Sequence, residues 1–413
     1  MPESCTEGGS APLTILEARG IVLERVSPVN GWERVPLQSA LNRVVLQDVV
    51  APFNVPPWDN SAMDGFAVRR ADCLEPEPLL QIVGAAEPGR VFTGLVGEGQ
   101  AVRVVTGAAI PRGADAVVPL ECARTTGSTV CIQGGIEPGQ HIRHSGEDLA
   151  EGSRAIPSGR RLGPAELGIL ASLGLAEVLV RRRLRVALLS AGSEAATFGR
   201  PLGFGESFDA NRYILFGLLA EMGVDLMDLG ALHGDPESME AAIRAAAEGV
   251  DVVLAYSRNS SLDKDWLKPL LLGSARMEFW HVNIRPGRPL GFGRLGPSWF
   301  FTLPLNPVAV MVTYYEIIAD ALRKLAGEHP LATRTEFRVR SLSSIRKMSG
   351  CCEYLRGNLI QEGEETCVRL LPGQGSGVLS SMADSDCFIV LPEEAGDLRE
   401  GDFVRVRPFR GLS

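Results

Sequence analysis

The chain has 413 residues, 45% of them hydrophobic and 22% charged, with a formal net charge of −9. That length exceeds one compact core, so two to four domains are expected. The acidic balance disfavours non-specific binding to nucleic acid or to an anionic membrane surface, and no apolar run is long enough to span a bilayer. The first fifteen residues include Glu3 and Glu7 and lack the basic start and apolar stretch of a secretory signal. Cysteines are scattered without a Cys-x-x-Cys pair, and adjacent Cys351 and Cys352 are poorly placed for a disulfide or a metal claw. These features read as a cytoplasmic protein with reduced thiols.

Residues 12–45 read as helix and loop, with Leu16, Ile21, Val22 and Val26 forming an apolar stripe. From about 50 to 145, short runs such as Val102–Val105 and Ala116–Val118 alternate with Gly and Pro turns, the texture of a small β-rich module. A helix is predicted over 164–173, with Pro164 in its first turn and Gly174 at its end. From 184 to 327 strands and helices alternate. Arg185–Leu189 is a buried strand, and Asn211 is expected to cap a helix whose inward face is Leu215, Leu218, Leu219 and Met222. A strand near 226–229 follows, then a helix opened by Asp235-Pro236 with Met239, Ala242, Ile243 and Ala246 inward, then a strand at 250–254. This order predicts a parallel sheet with ligands at its carboxyl edge. Beyond residue 332, alternating runs such as Phe337–Arg340 and Phe403–Val406 read as a small β-barrel or sandwich.

The expected fold is therefore a multidomain α/β protein. A discontinuous helical domain, 1–48 plus 146–183, carries an inserted β-rich domain at 49–145. A parallel-sheet α/β domain follows at 184–328 and a C-terminal β-barrel-like domain at 329–413. Trp58, Trp266, Trp280 and Trp299 are expected to pack in cores. The histidines show no zinc-ligand spacing.

The most distinctive motif is Asn60-Ser61-Ala62-Met63-Asp64-Gly65-Phe66, a small-residue turn that leaves one carboxylate beside a glycine. Taken with 103–119 (RVVTGAAIPRGADAVVP), it resembles the molybdopterin molybdenumtransferases, the bacterial MoeA type and the E domain of gephyrin. Gly146-Glu147-Asp148, Ser190-Ala191-Gly192-Ser193-Glu194, Asp209-Ala210-Asn211, Arg285-Pro286-Gly287-Arg288-Pro289 and Gln374-Gly375-Ser376-Gly377 extend the likeness in order. The resemblance implies Mg²⁺-dependent insertion of molybdate into adenylylated molybdopterin with release of AMP. It also implies an elongated homodimer, with a molybdopterin adenylyltransferase and molybdoenzyme-maturation proteins as possible partners, and no nucleic acid or membrane.

By that resemblance Asp64, Asp148, Glu194, Asp235 and Asp265 are the catalytic acids, and Glu194 and Asp265 hold the metal, since hard carboxylates suit Mg²⁺. Thr106, Asn211, Arg258, Ser260, Lys264, Arg285, Arg288, Pro304, Asn306, Arg356 and Ser376 are the binding residues. Arginines at 285 and 288 stand where the family usually has lysines, which keeps the charge and favours bidentate oxyanion contacts. For Arg356 a solvated strand position is the competing reading.

The family's glycine-rich Gly-Gly-Val-Ser-x-Gly-x-x-Asp loop is Ser257-Arg258-Asn259-Ser260-Ser261-Leu262-Asp263-Lys264-Asp265 here, and Leu305 replaces another family glycine. Two readings follow. In one, Arg258 and Lys264 supply charges in place of lost amide donors. In the other, the chain is a weakened or inactive paralogue serving as a binding or scaffold protein. Insertion of tungstate is a further alternative.

Overall fold

The strand–helix alternation builds a six-stranded sheet in the computed structural model, which describes residues 12–133, 135–191, 198–232, 236–257, 275–331, 333–348 and 350–409. Its strand order is Asp225–Leu232, Arg185–Ala191, Val252–Ser257, Ser298–Leu303, Gly291–Leu295, Arg276–Phe279. The first four strands are parallel, and 291–295 runs against both its neighbours. Both faces are covered, so the central strands are apolar through most of their length. Val186, Leu188, Val252 and Leu254 bury one face under helix Ala210–Met222. Ala187, Leu189, Val253 and Ala255 bury the other with Ile243, Ala246 and Ala247 of helix Pro236–Gly249. The order reverses between 185–191 and 252–257, and their carboxyl ends therefore frame the crevice where such sheets take ligands.

Two local expectations change. Asp209, not Asn211, caps the 210–222 helix, its carboxylate accepting from the Arg212 N–H at 3.3 Å. Asn211 stands one residue inside the helix, and Gly223 closes it with φ +76°. In helix Ile15–Arg25, the buried residues are Ile15, Ala18 and Val22, with Val26 following. Leu16 lies off that face and is 76% exposed. This first helix packs on the α/β core.

The 12–45 segment also holds a strand where helix and loop are expected. Trp32–Pro36 pairs with Glu177–Arg181, and Val49–Val50 pairs with Arg154–Ile156. With helix Pro164–Ser172 they share a core of Val35, Val45, Ile156, Leu162, Leu170 and Val180. The intervening residues form a six-stranded sheet in the order Ala116–Pro119, Gly65–Val68, Gln100–Val104, Leu79–Ala86, Thr129–Ile132, Ala123–Thr126. The last part is a closed five-stranded barrel. Cys352–Glu362, Glu365–Leu370, Phe337–Ser341, Phe403–Pro408 and Cys387–Leu391 pair in turn, and 387–391 returns to 352–362. Closure leaves no free edge among these strands. Trp58, expected to be packed, is 57% exposed, whereas Trp299 stacks on Phe292. Trp266 lies outside the described residues. Among those residues, no helix is long and apolar enough to cross a membrane.

One continuous helix joins the α/β sheet to the barrel: Pro307–Thr313, a π-helical turn at Tyr314–Ile318, and Ala319–Leu325. The wide turn carries Glu316, which is 1% exposed. Its carboxylate accepts from Arg334 at 2.8 Å, from Tyr354 at 3.0 Å and from Arg407. Asp320, one turn on, accepts from Arg334 at 2.5 Å and from Arg19 of the first helix at 2.7 Å. Burial would lower the Arg407 pKa, but the charge and hydrogen bond of Glu316 raise it above its usual value. Removing one partner of a buried pair strands the others without compensation. Glu316→Gln is therefore expected to destabilise the chain by about 3–5 kcal/mol, read from denaturant unfolding. An unchanged midpoint would show that the barrel docks without this network.

Candidate functional site

The Asp64 turn is fixed by the backbone around it. Asn60–Ser61 pairs with Ile142–Arg143, and Gly65–Val68 lies between 100–104 and 116–119. A Cβ on Gly65 would fall 1.9 Å from the Val118 carbonyl oxygen, so only glycine fits beside that strand. The adjacent Asp64 carboxylate projects to solvent, where Oδ1 accepts from the Thr106 N–H at 2.7 Å and the Thr106 hydroxyl at 2.8 Å. The Thr106 backbone bond, then its hydroxyl, hold the Asp64 pKa below the usual carboxylate range, with Arg103 adding to the effect. Asp64 is thus an oriented anion.

Asp148 is brought into the same module, exposed, with its N–H donating to the Val55 carbonyl at 3.1 Å. Asn54 ties the two segments, donating to Ser145 Oγ at 3.0 Å and accepting from the Glu151 N–H at 2.7 Å. Glu147 instead accepts from the His144 N–H at 2.9 Å, closing its own turn.

A second group of predicted residues gathers at the carboxyl edge of the parallel sheet. Strand Ser298–Leu303 runs into Pro304, which is buried, then Leu305 and Asn306 at the start of the 307–325 helix. Asn306 is exposed and its side chain makes no capping bond. Leu305 has no left-handed backbone, so the loss of the family glycine causes no strain there. The Asn211 amide nitrogen donates to the Leu305 carbonyl at 2.5 Å, leaving the buried Oδ1 without a partner. The Ser190 hydroxyl, at the end of its strand, is likewise buried and unpartnered. Beside them, the Tyr256 hydroxyl donates to Asp209 at 2.7 Å, tying strand 252–257 to the start of helix 210–222. Sequence reasoning missed the Ser190 and Tyr256 contributions. Ser190 stood inside a quoted motif, but nothing in the pattern marked Tyr256.

The arginine turn packs against the same helix. A Cβ on Gly287 would come 2.8 Å from Thr313 Cγ2, and its φ of +123° suits glycine. Arg285 and Arg288 are exposed on either side, with Arg285 3.6 Å from Glu353 of the barrel. Arg356 contradicts the solvated reading, being 0% exposed. Its Nε donates to Ser381 at 3.0 Å, and Nη2 donates to the carbonyls of Gly373 at 3.1 Å and Gly375 at 3.0 Å. Desolvation lowers its pKa to about 10. Arg356 therefore shapes the loop that carries Ser376, and the Ser376 carbonyl accepts from the Val308 N–H at 3.2 Å. A barrel loop is in this way fastened to the sheet's carboxyl edge.

The predicted residues thus form two groups. No hydrogen bond or ion pair among the described residues links the Asp64–Thr106 pair, or Asp148 on the segment bonded to Val55, to the corner at residue 307. Glu194, Asp235, Arg258, Ser260, Lys264 and Asp265 lie outside the described residues. Among those described, no three His, Cys, Asp or Glu side chains are grouped to hold a metal, and both residues expected to hold Mg²⁺ lie outside them.

This arrangement defines a multidomain protein in which a barrel loop is fastened to the carboxyl edge of an α/β sheet. Family models match in three blocks: the MoeA N-terminal region (domain I and II) over residues 13–174, a probable molybdopterin binding domain over 187–324, and the MoeA C-terminal region (domain IV) over 338–409. The molybdopterin molybdenumtransferase of Haemophilus influenzae is 36% identical over 402 residues, covering 97% of this chain and 99% of that protein. Molybdopterin molybdenumtransferase 2 of Mycobacterium tuberculosis is 35% identical over 383 residues, covering 90% and 94%. The solved molybdopterin biosynthesis moeA protein of Pyrococcus horikoshii superposes with a TM-score of 0.81 at 26% identity, covering 97% and 100%. The chain belongs to the MoeA family.

Thr106→Val removes the hydroxyl donor and keeps the N–H, so the Asp64 pKa is expected to rise part of the way toward 3.8. Because the folded-state value is depressed, the stabilising contribution of this contact is present above the unfolded pKa and is lost as pH falls through the folded one. Carboxyl-carbon NMR titration reads the shift directly. An unchanged Asp64 titration would remove the hydroxyl from this account.

Proposed function

We propose that this chain is a molybdopterin molybdenumtransferase of molybdenum cofactor biosynthesis, inserting molybdate into adenylylated molybdopterin with release of AMP. Within the structure, the observation that supports this most is the corner at residue 307, where Asn211, Leu305, Val308 and the Ser376 loop meet at the sheet's carboxyl edge. The names of the full-length relatives in Haemophilus influenzae and Mycobacterium tuberculosis agree with it.

In this reading, Arg285 and Arg288 receive the tetrahedral oxyanion, because guanidinium forks match such anions bidentately. Pro304 and Asn306 border the pterin, and the Arg356-shaped loop closes over it through Ser376. Asn211 holds the Leu305 carbonyl at the same corner. Arg258 and Lys264 supply positive charge to the pyrophosphate in place of loop glycines, with Ser260 beside them. Asp64 and Asp148 orient the phosphate-bearing end and a water for its cleavage, together with Glu194, Asp235 and Asp265. Glu194 and Asp265 offer hard oxygen donors suited to Mg²⁺. The acids of one copy serve the corner of its twofold partner in a cytoplasmic homodimer, with domains at 1–48 plus 146–183, 49–145, 184–328 and 329–413, except that helix Ile15–Arg25 shares the α/β core.

Reconstitution with adenylylated molybdopterin, molybdate and Mg²⁺ tests the reading, with AMP release followed in time. The wild type is expected to release AMP, and Arg258→Ala to bind adenylylated molybdopterin about tenfold more weakly, as for one lost charge-assisted contact. Unchanged affinity would remove Arg258 from the phosphate site. Tight binding without AMP release would instead favour the scaffold reading, which the loss of three loop glycines motivates. Metal analysis of the product separates molybdate from tungstate.

A further inference from the structure

Five arginines line one recess at the opposite end of the parallel sheet: Arg43, Arg161, Arg181, Arg182 and Arg183. It lies where the chain enters its strands, beside Leu184 and Val224, and where helix 210–222 ends at Gly223. Strand Arg185–Ala191 separates it from the crevice by 7 residues, about 23 Å at roughly 3.3 Å each.

The recess has more cations than close acids. Arg43 pairs with Glu33 at 3.1 Å, and Arg182 takes Asp251 at 2.7 Å, while Arg161 is only within 3.9 Å of Glu328. Asp225 and Glu33 act on Arg182 through space. Arg181 and Arg183 have no carboxylate partner among the described residues. They donate only to carbonyls, Arg181 to Val29 at 3.3 Å and Arg183 to Gly223 at 2.8 Å. The Arg181 Nε is enclosed and has no acceptor among the described residues. Its side chain is also held in place, since a Cβ on Gly327 would come 2.2 Å from Arg181 Cδ. An anion in the recess would meet the guanidinium charges of Arg181 and Arg183, which no carboxylate neutralises among the described residues.

We propose that this recess is a second anion site, taking a small tetrahedral oxyanion such as phosphate or sulfate between Arg181 and Arg183. Planar guanidinium donors match tetrahedral oxyanions, and the recess is too small for a nucleotide. A bound oxyanion would bridge the sheet's entry to the strand pair of 32–36 and 177–181, stiffening the joint between those units. The site does not depend on the transferase reading.

Calorimetric titration of the full chain with inorganic phosphate, at fixed ionic strength in chloride, tests it. One phosphate per chain is expected at this site, with affinity about tenfold weaker in Arg183→Gln, which keeps a donor for the Gly223 carbonyl but not the charge. Arg181→Met serves as a second variant should Arg183→Gln fail to fold. Arg288→Gln, in the crevice group proposed for molybdate, is expected to remove only any phosphate taken up there and to leave the one in the recess. The proposal is overturned if the wild type takes up no phosphate, if the folded recess variant binds unchanged, or if Arg288→Gln abolishes the binding instead.

Discussion

The buried carboxylate of Glu316 is the constraint on which the relation between sheet and barrel depends. An isolated ion of this kind would be costly, and two guanidinium groups and a phenol are drawn to it from separate parts of the chain. Because Arg407 and Tyr354 belong to barrel strands and Arg334 to the segment leading into them, satisfying Glu316 also orients the barrel. The Ser376 loop can then meet the start of the same helix that bears Glu316. A polar requirement in the interior thereby sets a contact at the edge of the ligand crevice.

The two groups of candidate residues use charge in opposite ways. Asp64 is exposed, and its two Thr106 donors keep it ionised without removing it from water. Arg356 is enclosed, and its backbone acceptors hold a loop in shape while desolvation pulls its pKa down. One is suited to act on a ligand directly and the other through the loop it organises. The exposed arginines at 285 and 288 complete the contrast, displayed by a turn whose glycine packs against Thr313.

Much of the fold was legible because burial on both faces leaves a simple pattern. The Val186–Leu189 and Val252–Leu254 runs, the Gly223 terminator and the alternating strands of the barrel all announced themselves. Cap choice was less readable, because Asp209 and Asn211 are both good caps and only tertiary contacts assign Asn211 to the Leu305 carbonyl. The 307–325 helix escaped notice despite its Asn306-Pro307 start, since its apolar residues are buried on nearly all sides and give little periodicity. Arg356 could not be placed from sequence, as its partners are carbonyls 17 and 19 residues away. Family motifs named Asp64 and Thr106 separately, and only the fold joins them by two hydrogen bonds across 42 residues of chain.

The central claim is that the acids around Asp64 and the cations at the residue-307 corner act on one substrate, each group supplied by a different copy of the chain. The most direct measurement mixes two inactive variants, Asp64→Asn and Arg288→Gln, unfolds and refolds them together, and follows AMP release from adenylylated molybdopterin with molybdate present. Mixed dimers retain one intact composite site, so activity should return to about a quarter of wild type by random pairing of subunits. A mixture as inactive as either variant alone, although dimeric, would contradict the account.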